Sequence, residues 1–300
     1  MLERVFEPSF LRRLDHLTLG IRRARTVRLG RRMLGRMRGS GIEIENFKDY
    51  AEGDDLRFLD WNALARLDSL LLKSFRVERE TQVNILVDAS ASMGVPVADR
   101  KFELACLLAC ALAYVALGQN DPVRLTSFAA PQGKPLFAGS DFLHRVESYA
   151  GLRPIVTQFK TSGDATLEEA AVHLLAQHRT PGVVIVLSDF LYDTQRYRRA
   201  FDRLLNARYE VKAIQVLGQR EAQVQLTPGA YRLRDCESGQ VREFNLSPEA
   251  IEACRQKLRN LRRELQDFCL QRGIIYAHVI GAENYESFLT TELPRLGLVE

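Results

Sequence analysis

From residue 82 onward, short apolar runs alternate with longer stretches in which apolar residues recur at helical spacing. Runs of five to seven apolar residues suit strands that are buried on both faces of a sheet, and the longer stretches suit amphipathic helices. The predicted strands are 83–87, 123–128, 183–187, 211–217 and 274–280. The predicted helices are 101–117, 141–150, 166–177, 194–207 and 247–271.

Regular alternation of strands and helices predicts an α/β fold with a doubly wound, mostly parallel sheet of the Rossmann-like kind. The turn-rich stretch 218–244 interrupts the alternation and predicts a hairpin with its turn at 237–240. Ahead of the sheet, 70–77 reads as an extended segment. We therefore divide the chain into an N-terminal helical and extended appendage, 1–80, and an α/β domain, 81–300.

The first 40 residues are strongly basic. They contain eleven arginines, no lysine and three acids, a net +8, so the rest of the chain carries a net −4 within the total of +4. The arginines flank apolar positions such as Leu11 and Leu14, which predicts amphipathic helices docked on the domain or on an acidic partner. Binding to nucleic acid or to an anionic lipid surface is the alternative. The lack of aromatic residues between Arg12 and Arg38 disfavours single-stranded nucleic acid.

Composition narrows the class of protein further. With 300 residues, of which 46% are hydrophobic and 27% charged, the chain has enough apolar material for a core and is not a disordered protein. The five cysteines form no C-x-x-C pair and no signal peptide is visible, so we expect a reducing cytoplasm. The longest apolar run, 104–118, is shorter than the ~20 residues of a membrane span and predicts a buried core helix.

Polar residues follow two of the predicted strands. Asp88 ends the strand 83–87 and is followed by Ser90 and Ser92, and Asp189 follows the strand 183–187. The carboxyl ends of parallel strands lie at one edge of the sheet, where ligands of such folds bind. An all-oxygen site of this kind suits Mg²⁺, because magnesium prefers oxygen ligands and retains several waters. The structural alternative is that Asp88 caps a turn while the serines satisfy backbone groups.

The D-x-S-x-S loop, a threonine-bearing loop and a strand-end aspartate together resemble the metal-ion-dependent adhesion site of von Willebrand factor A domains. The resemblance implies that an acidic side chain of a partner protein completes the octahedron around the ion. In this family the threonine belongs to a G-G-T-x-L loop, but here alanine takes that position in 163–167, which leaves Thr166, Thr161 and Asp164 as alternatives. The metal ligands implied by the resemblance are Asp88, Ser90, Ser92, Thr166 and Asp189.

Two further segments resemble the DUF58 family, which has a von Willebrand A-like domain and is typically encoded beside a MoxR-type AAA+ ATPase. One lies ahead of the D-x-S-x-S loop and the other in the predicted hairpin. The matching residues are Gly53-Asp54-Asp55-Leu56-Arg57, Asp60-Trp61, Ala65-Arg66 and Asp235-Cys236-Glu237-Ser238-Gly239. Of these, Trp61 is expected to be packed.

These features predict a non-enzymatic, metal-dependent adaptor that works with a MoxR-type AAA+ ATPase on a client protein in the cytoplasm. A magnesium-dependent phosphatase or phosphotransferase is one alternative. It is disfavoured because Ser90 stands where haloacid dehalogenases have a second aspartate, and because no G-x-x-x-x-G-K-[ST] loop is present. A nucleic-acid-binding protein that uses the arginine-rich N-terminus is the other alternative.

Overall fold

The computed structural model describes residues 2–21, 26–28, 42–52, 56–78, 80–177, 180–237 and 239–300. They form two compact units, one made of 1–20 and 82–300 and the other of 21–81. The predicted division at 80/81 lies beside the observed boundary at 81/82, but the first 20 residues pack with the α/β domain rather than with the appendage.

The strands of the described residues, in chain order, are β1 (Thr26–Arg28), β2 (Ile42–Asp49), β3 (Leu71–Glu78), β4 (Val83–Asp88), β5 (Val123–Ala129), β6 (Leu136–Gly139), β7 (Val183–Ser188), β8 (Glu210–Leu217), β9 (Gly229–Arg234), β10 (Val241–Leu246) and β11 (Ile275–Ile280). The helices are α1 (Pro8–Leu14), α2 (Trp61–Leu67), α3 (Lys101–Gly118), α4 (Leu152–Val156), α5 (Leu167–Gln177), α6 (Thr194–Asn206), α7 (Gln219–Gln223), α8 (Pro248–Gln271), α9 (Tyr285–Ser287) and α10 (Leu293–Arg295).

A six-stranded sheet in the order β11-β8-β7-β4-β5-β6 forms the centre of the larger unit. Its pairings are parallel except at the edge, where β6 runs antiparallel to β5. The strands β4 and β7 are buried along their whole length, as expected for a sheet covered on both faces. The predicted α/β fold with a mostly parallel, doubly wound sheet is confirmed. The chain reverses direction across the sheet between β4 and β7, where such folds bind ligands.

The helix α3 is apolar on all sides and packs in the core of the larger unit, contacting β4 and β5. Within the part of the chain that the structure describes, Val97–Gly118 is the one helical stretch long and apolar enough to cross a membrane, and 78% of its apolar window is buried inside the fold.

The N-terminal segment 2–20 is docked on the larger unit through buried apolar residues. Val5, Phe10 and Leu14 are buried, and the hydroxyl of Tyr149 donates to the carbonyl of Val5 over 3.2 Å. For α1, this matches the amphipathic helix predicted to dock on the domain. Backbone hydrogen bonds between Thr18 and the last residue of the chain, 2.7 and 2.6 Å long, tie this segment to the C-terminus.

The smaller unit, 21–81, holds a three-stranded antiparallel sheet in the order β1-β3-β2 and the helix α2. The carboxylate of Asp60 caps α2 by accepting hydrogen bonds from the amides of Asn62 and Ala63. The extended segment predicted at 70–77 appears as β3, but Trp61, which we expected to be packed, is 65% exposed. Residues 26–28 form the short strand β1, which was not predicted separately. Several residues named from the sequence lie outside the described residues, namely Arg22, Arg23, Arg31, Arg32, Asp54 and Asp55.

Two local predictions in the larger unit differ from the structure. The helix predicted at 141–150 is wrong, because Leu143 extends the sheet through two 2.8 Å backbone hydrogen bonds with Val123, and a 3₁₀ turn, Val146–Gly151, follows. The strand β6 was not predicted. It has only four residues, of which three are exposed, so it is shorter than the apolar runs that mark the buried strands of this sheet.

Docking of the N-terminal segment gives a stability prediction. Leu14→Ala removes a side chain that is 1% exposed, and we expect it to lower the free energy of unfolding by about 3 kcal/mol, measured by urea denaturation. The control Leu270→Ala truncates a side chain on α8 that is 77% exposed and should change stability by less than about 0.5 kcal/mol. Equal, small effects of both substitutions would contradict the docking.

Candidate metal centre

Two neighbouring strands bring Asp88 and Asp189 to the same edge of the sheet. In the parallel pairing of β4 with β7, Val87 lies opposite Leu187, so Asp88 stands beside Ser188 and Asp189 follows one residue later. Both aspartates are completely buried. The convergence on which the predicted metal site depends is therefore present in the fold.

The carboxylate of Asp88 is held by two hydrogen bonds. Its Oδ1 accepts from the amide of Ser90 at 2.8 Å, and its Oδ2 accepts from the hydroxyl of Ser188 at 2.6 Å. Burial and the negative charge of Asp189 nevertheless raise the pKa of Asp88 to about 6. A nearby cation can neutralise such a buried carboxylate in place of a proton.

The serines of the D-x-S-x-S loop lie together just beyond β4. The short 3₁₀ helix Ala91–Gly94 begins after Ser90, and the Oγ atoms of Ser90 and Ser92 are 3.0 Å apart. Ligands at the about 2.1 Å that Mg²⁺ requires occupy adjacent corners of an octahedron about 3 Å apart. The two hydroxyls therefore have the spacing of neighbouring magnesium ligands.

The loop 162–167 is fastened to the serine loop through the backbone. The amide of Ser162 donates to the carbonyl of Ala89, and the amide of Ala91 donates to the carbonyl of Gly163, both at 2.8 Å. Gly163 has a φ of +62°, and a Cβ there would overlap the carbonyl of Ala130. Glycine thus permits the close approach of this loop to Ala130, the residue that follows β5.

Among the three alternatives for the threonine ligand, Thr166 fits best. Its side chain is 4% exposed, and its hydroxyl has no hydrogen-bond partner among the described residues. Leaving a buried hydroxyl unpaired costs about 1–3 kcal/mol, which a cation ligated at this atom would offset. The carboxylate of Asp164 is already paired with Arg196 at 2.8 and 2.9 Å, and Thr161 lies against Gly94.

A buried lysine next to Asp189 was missed in the sequence. The Nζ of Lys101 lies 2.9 Å from Oδ2 of Asp189 and 2.8 Å from the carboxylate of Glu221. Burial lowers the pKa of Lys101, but the charges of Asp189 and Glu221 outweigh that effect and leave the pKa above its ordinary value. The one signal in the sequence was a lysine in the first turn of a helix that is apolar from Leu104 onward.

The charges at this edge are unbalanced. When ionised, Asp88, Asp189 and Glu221 carry three negative charges against the one positive charge of Lys101, so a divalent cation would neutralise the group. No three His, Cys, Asp or Glu side chains converge as metal ligands anywhere in the described ranges. A cation here therefore depends on the hydroxyls of Ser90, Ser92 and Thr166, and the donor set of oxygens alone fits magnesium. The metal-ligating role of these residues stays a prediction.

The turn of the hairpin β9–β10 carries Glu237, as the sequence predicted. Burial, followed by the interactions with Asp164, raises the pKa of Glu237 to about 7.

Several solved structures resemble the chain at low sequence identity. BatB from Bacteroides thetaiotaomicron is 18% identical, with 72% of this chain and 98% of that one covered at a TM-score of 0.43. An aerotolerance-related membrane protein from Bacteroides fragilis is 17% identical. The match covers 72% of this chain and 99% of that one, with a TM-score of 0.40. A von Willebrand factor type A protein from Catenulispora acidiphila is 12% identical. The match covers 74% of this chain and 43% of that one, with a TM-score of 0.40.

Sequence relatives are closer. An uncharacterized protein of Mycobacterium tuberculosis and its counterpart in Mycobacterium bovis are each 31% identical over 220 residues, which covers 72% of this chain and 67% of theirs. The family described as "Protein of unknown function DUF58" matches residues 46–265. Since that match spans well over half of the sequence, the chain belongs to the DUF58 family.

Proposed function

We propose that this chain is a non-enzymatic adaptor that binds Mg²⁺ and engages other proteins through the bound ion. The observation that carries the proposal is the buried, unpartnered hydroxyl of Thr166, on a loop bonded to the one that holds Ser90 and Ser92 at octahedral spacing. A cation held between the two loops would give this unsatisfied buried hydroxyl a partner.

In this proposal Asp88, Ser90, Ser92, Thr166 and Asp189 would hold the ion. When bound, the ion would supply a Lewis-acidic position to which an acidic side chain of another protein could bind. The chain's own residues keep that position oriented. Lys101 fixes the carboxylate of Asp189, and Arg196 fixes the loop that precedes Thr166 by binding Asp164 and the carbonyl of Ala165.

A role in binding is favoured over phosphoryl transfer by the surroundings of Asp88. A phosphoryl group must reach an aspartyl nucleophile, but Asp88 is completely buried. Each of its oxygens accepts one hydrogen bond and keeps a second lone pair, which suits a carboxylate that helps to hold a cation.

The partners proposed are a MoxR-type AAA+ ATPase and a client protein that supplies a carboxylate to the ion. Support for the ATPase comes from membership of the DUF58 family, whose genes typically lie beside the gene for such an ATPase. Contact of the N-terminal arginines with nucleic acid is disfavoured where they are described, since Arg13 is paired with Glu286 at 2.5 Å and the neighbouring apolar residues are docked. A cytoplasmic location agrees with five cysteines that are all free.

The experiment that tests the proposal is a pull-down of the nucleotide-free MoxR-type ATPase of the source organism on the immobilised full chain. Both proteins are tested in the same Mg²⁺ buffer, so any magnesium bound by the ATPase itself is the same in both experiments. Wild type should retain the ATPase, and Asp88→Ala should not. Equal retention by both proteins would contradict the proposal. Magnesium-dependent hydrolysis of para-nitrophenyl phosphate that disappears in Asp88→Asn would contradict the non-enzymatic role.

A substitution at Thr166 separates ligation from packing. Thr166→Val is nearly isosteric and removes an unsatisfied hydroxyl, so in EDTA its free energy of unfolding should equal that of wild type or exceed it by about 1 kcal/mol. The gain in Tm that Mg²⁺ gives wild type should disappear in this variant. The control is Thr157→Val, at an exposed threonine whose hydroxyl donates a hydrogen bond to the backbone carbonyl of Arg153. This variant should keep the gain in Tm. An undiminished magnesium effect in Thr166→Val would remove Thr166 from the site.

The raised pKa of Asp88 predicts a pH dependence in EDTA. Because the folded pKa is about 6 against an ordinary 3.8, protonated Asp88 stabilises the fold fully below pH about 4, and this stabilisation is lost as the pH rises through about 6. The loss amounts to about 3 kcal/mol by the linkage relation. Asp88→Asn carries no proton to lose, so urea unfolding should show it gaining stability relative to wild type between pH about 4 and about 7. Parallel pH profiles would contradict the assigned environment of Asp88.

A further inference from the structure

The hairpin β9–β10 forms a two-stranded sheet of its own. Its strands pair over six positions and, in the described part of the chain, belong to no larger sheet. None of the twelve residues in the two strands is buried. A hairpin of this size is only marginally stable when both of its faces meet water, so it gains stability when another surface covers one of them.

The two faces of the hairpin differ in composition. Residues directly opposite each other in an antiparallel pair lie on the same face, and here Phe244 is opposite Tyr231 while Arg242 is opposite Leu233. One face, which we call the aromatic face, consists of Tyr231, Leu233, Arg242, Phe244 and Leu246. Its side chains Leu233 and Phe244 are 40% and 43% exposed. The other face is mainly polar and carries Ala230, Arg232, Arg234, Val241, Glu243 and Asn245.

The aromatic face is held in place from within the chain. The hydroxyl of Tyr231 donates to the carbonyl of Thr227 at 2.8 Å and accepts from the amide of Thr227 at 3.2 Å. These bonds fasten the ring to the segment that enters the hairpin, so little side-chain entropy is lost when the face is covered. Exposed aromatic residues together with arginine are the residue types enriched in protein interfaces.

The charge around the aromatic face indicates what covers it. The two strands carry Arg232, Arg234 and Arg242 against Glu243, a net +2. The helix α8 begins two residues after β10, and its stretch 255–263 has five basic residues, no acidic residue and no buried residue. A second copy of this chain would present the same positive charge and be repelled, whereas an acidic protein surface would be attracted.

We infer that the aromatic face is a second docking surface, which binds a partner protein that presents an apolar patch bordered by acidic residues. The inference rests on the proposed function in taking the MoxR-type ATPase as that partner. The connectivity allows one partner to contact both sites. Glu221 of α7 lies 2.8 Å from Lys101, which contacts Asp189, and the linker 224–228 between α7 and β9 spans at most about 20 Å.

The test compares the aromatic face with the opposite face of the same hairpin. Nucleotide-free ATPase is titrated onto the immobilised full chain in Mg²⁺ buffer that contains nuclease. Phe244→Ala should weaken binding by about tenfold or more, because it truncates an aromatic residue at the centre of the interface. The control Val241→Ala, at a side chain of the same strand that is 45% exposed on the other face, should bind as wild type does.

A charge reversal tests the same surface without truncating an apolar side chain. Arg242→Glu keeps both aromatic rings and should also weaken binding, by a factor that shrinks as the salt concentration rises. Amide hydrogen exchange in 229–234 and 241–246 checks that the hairpin is formed in each variant. The gain in Tm that Mg²⁺ gives wild type should be the same in all of them, because none of the substitutions touches the candidate metal centre.

The outcomes distinguish this surface from the metal site. If Phe244→Ala and Arg242→Glu bind the ATPase as tightly as Val241→Ala does, the inference fails, while the loss of binding in Asp88→Ala still supports the proposed function. If wild type does not bind the ATPase, both fail. If wild type binds only when nuclease is omitted, the basic surface holds nucleic acid and the inference is wrong.

Discussion

The repulsion between two buried carboxylates, Asp88 and Asp189, is the constraint on which the rest of this sheet edge depends. Parallel strands place both acids in the interior at the switch point of the sheet, where water cannot screen them. Hydrogen bonds from Ser90 and Ser188 hold one carboxylate, and the ammonium of Lys101 holds the other. These contacts offset only part of the cost, as the raised pKa of Asp88 shows.

A proton and a divalent cation are alternative ways to relieve the remaining charge. With the proton, Asp88 is neutral and the hydroxyl of Thr166 stays without a partner. With the proposed cation, the carboxylates would stay charged and the hydroxyls of Ser90, Ser92 and Thr166 would become ligands. The chain supplies fewer strong ligands than a closed structural metal site, and this is the property that an adaptor needs, because another carboxylate can then join the ion.

Local pattern was enough to predict the sheet and the two strand-end acids. The central strands β4 and β7 are apolar runs that end at polar residues, so the segments 83–88 and 183–189 indicated both a strand and its candidate chemistry. The strand β6 was missed because it is short and exposed, and the helix at 141–150 was wrong because Leu143 pairs with a distant strand. Lys101 and Glu221 reach the site through contacts between residues far apart in sequence, which no periodicity encodes. The choice among Thr161, Asp164 and Thr166 needed the hydrogen-bond partners of each side chain.

The most direct test of the central claim is anomalous X-ray scattering from crystals of the full chain soaked in Mn²⁺ and held in neutral buffer. We predict a single strong peak among the side-chain oxygens of Asp88, Ser90, Ser92, Thr166 and Asp189. A manganese peak elsewhere, or none at this edge while the unpartnered hydroxyl of Thr166 is unchanged, would contradict it.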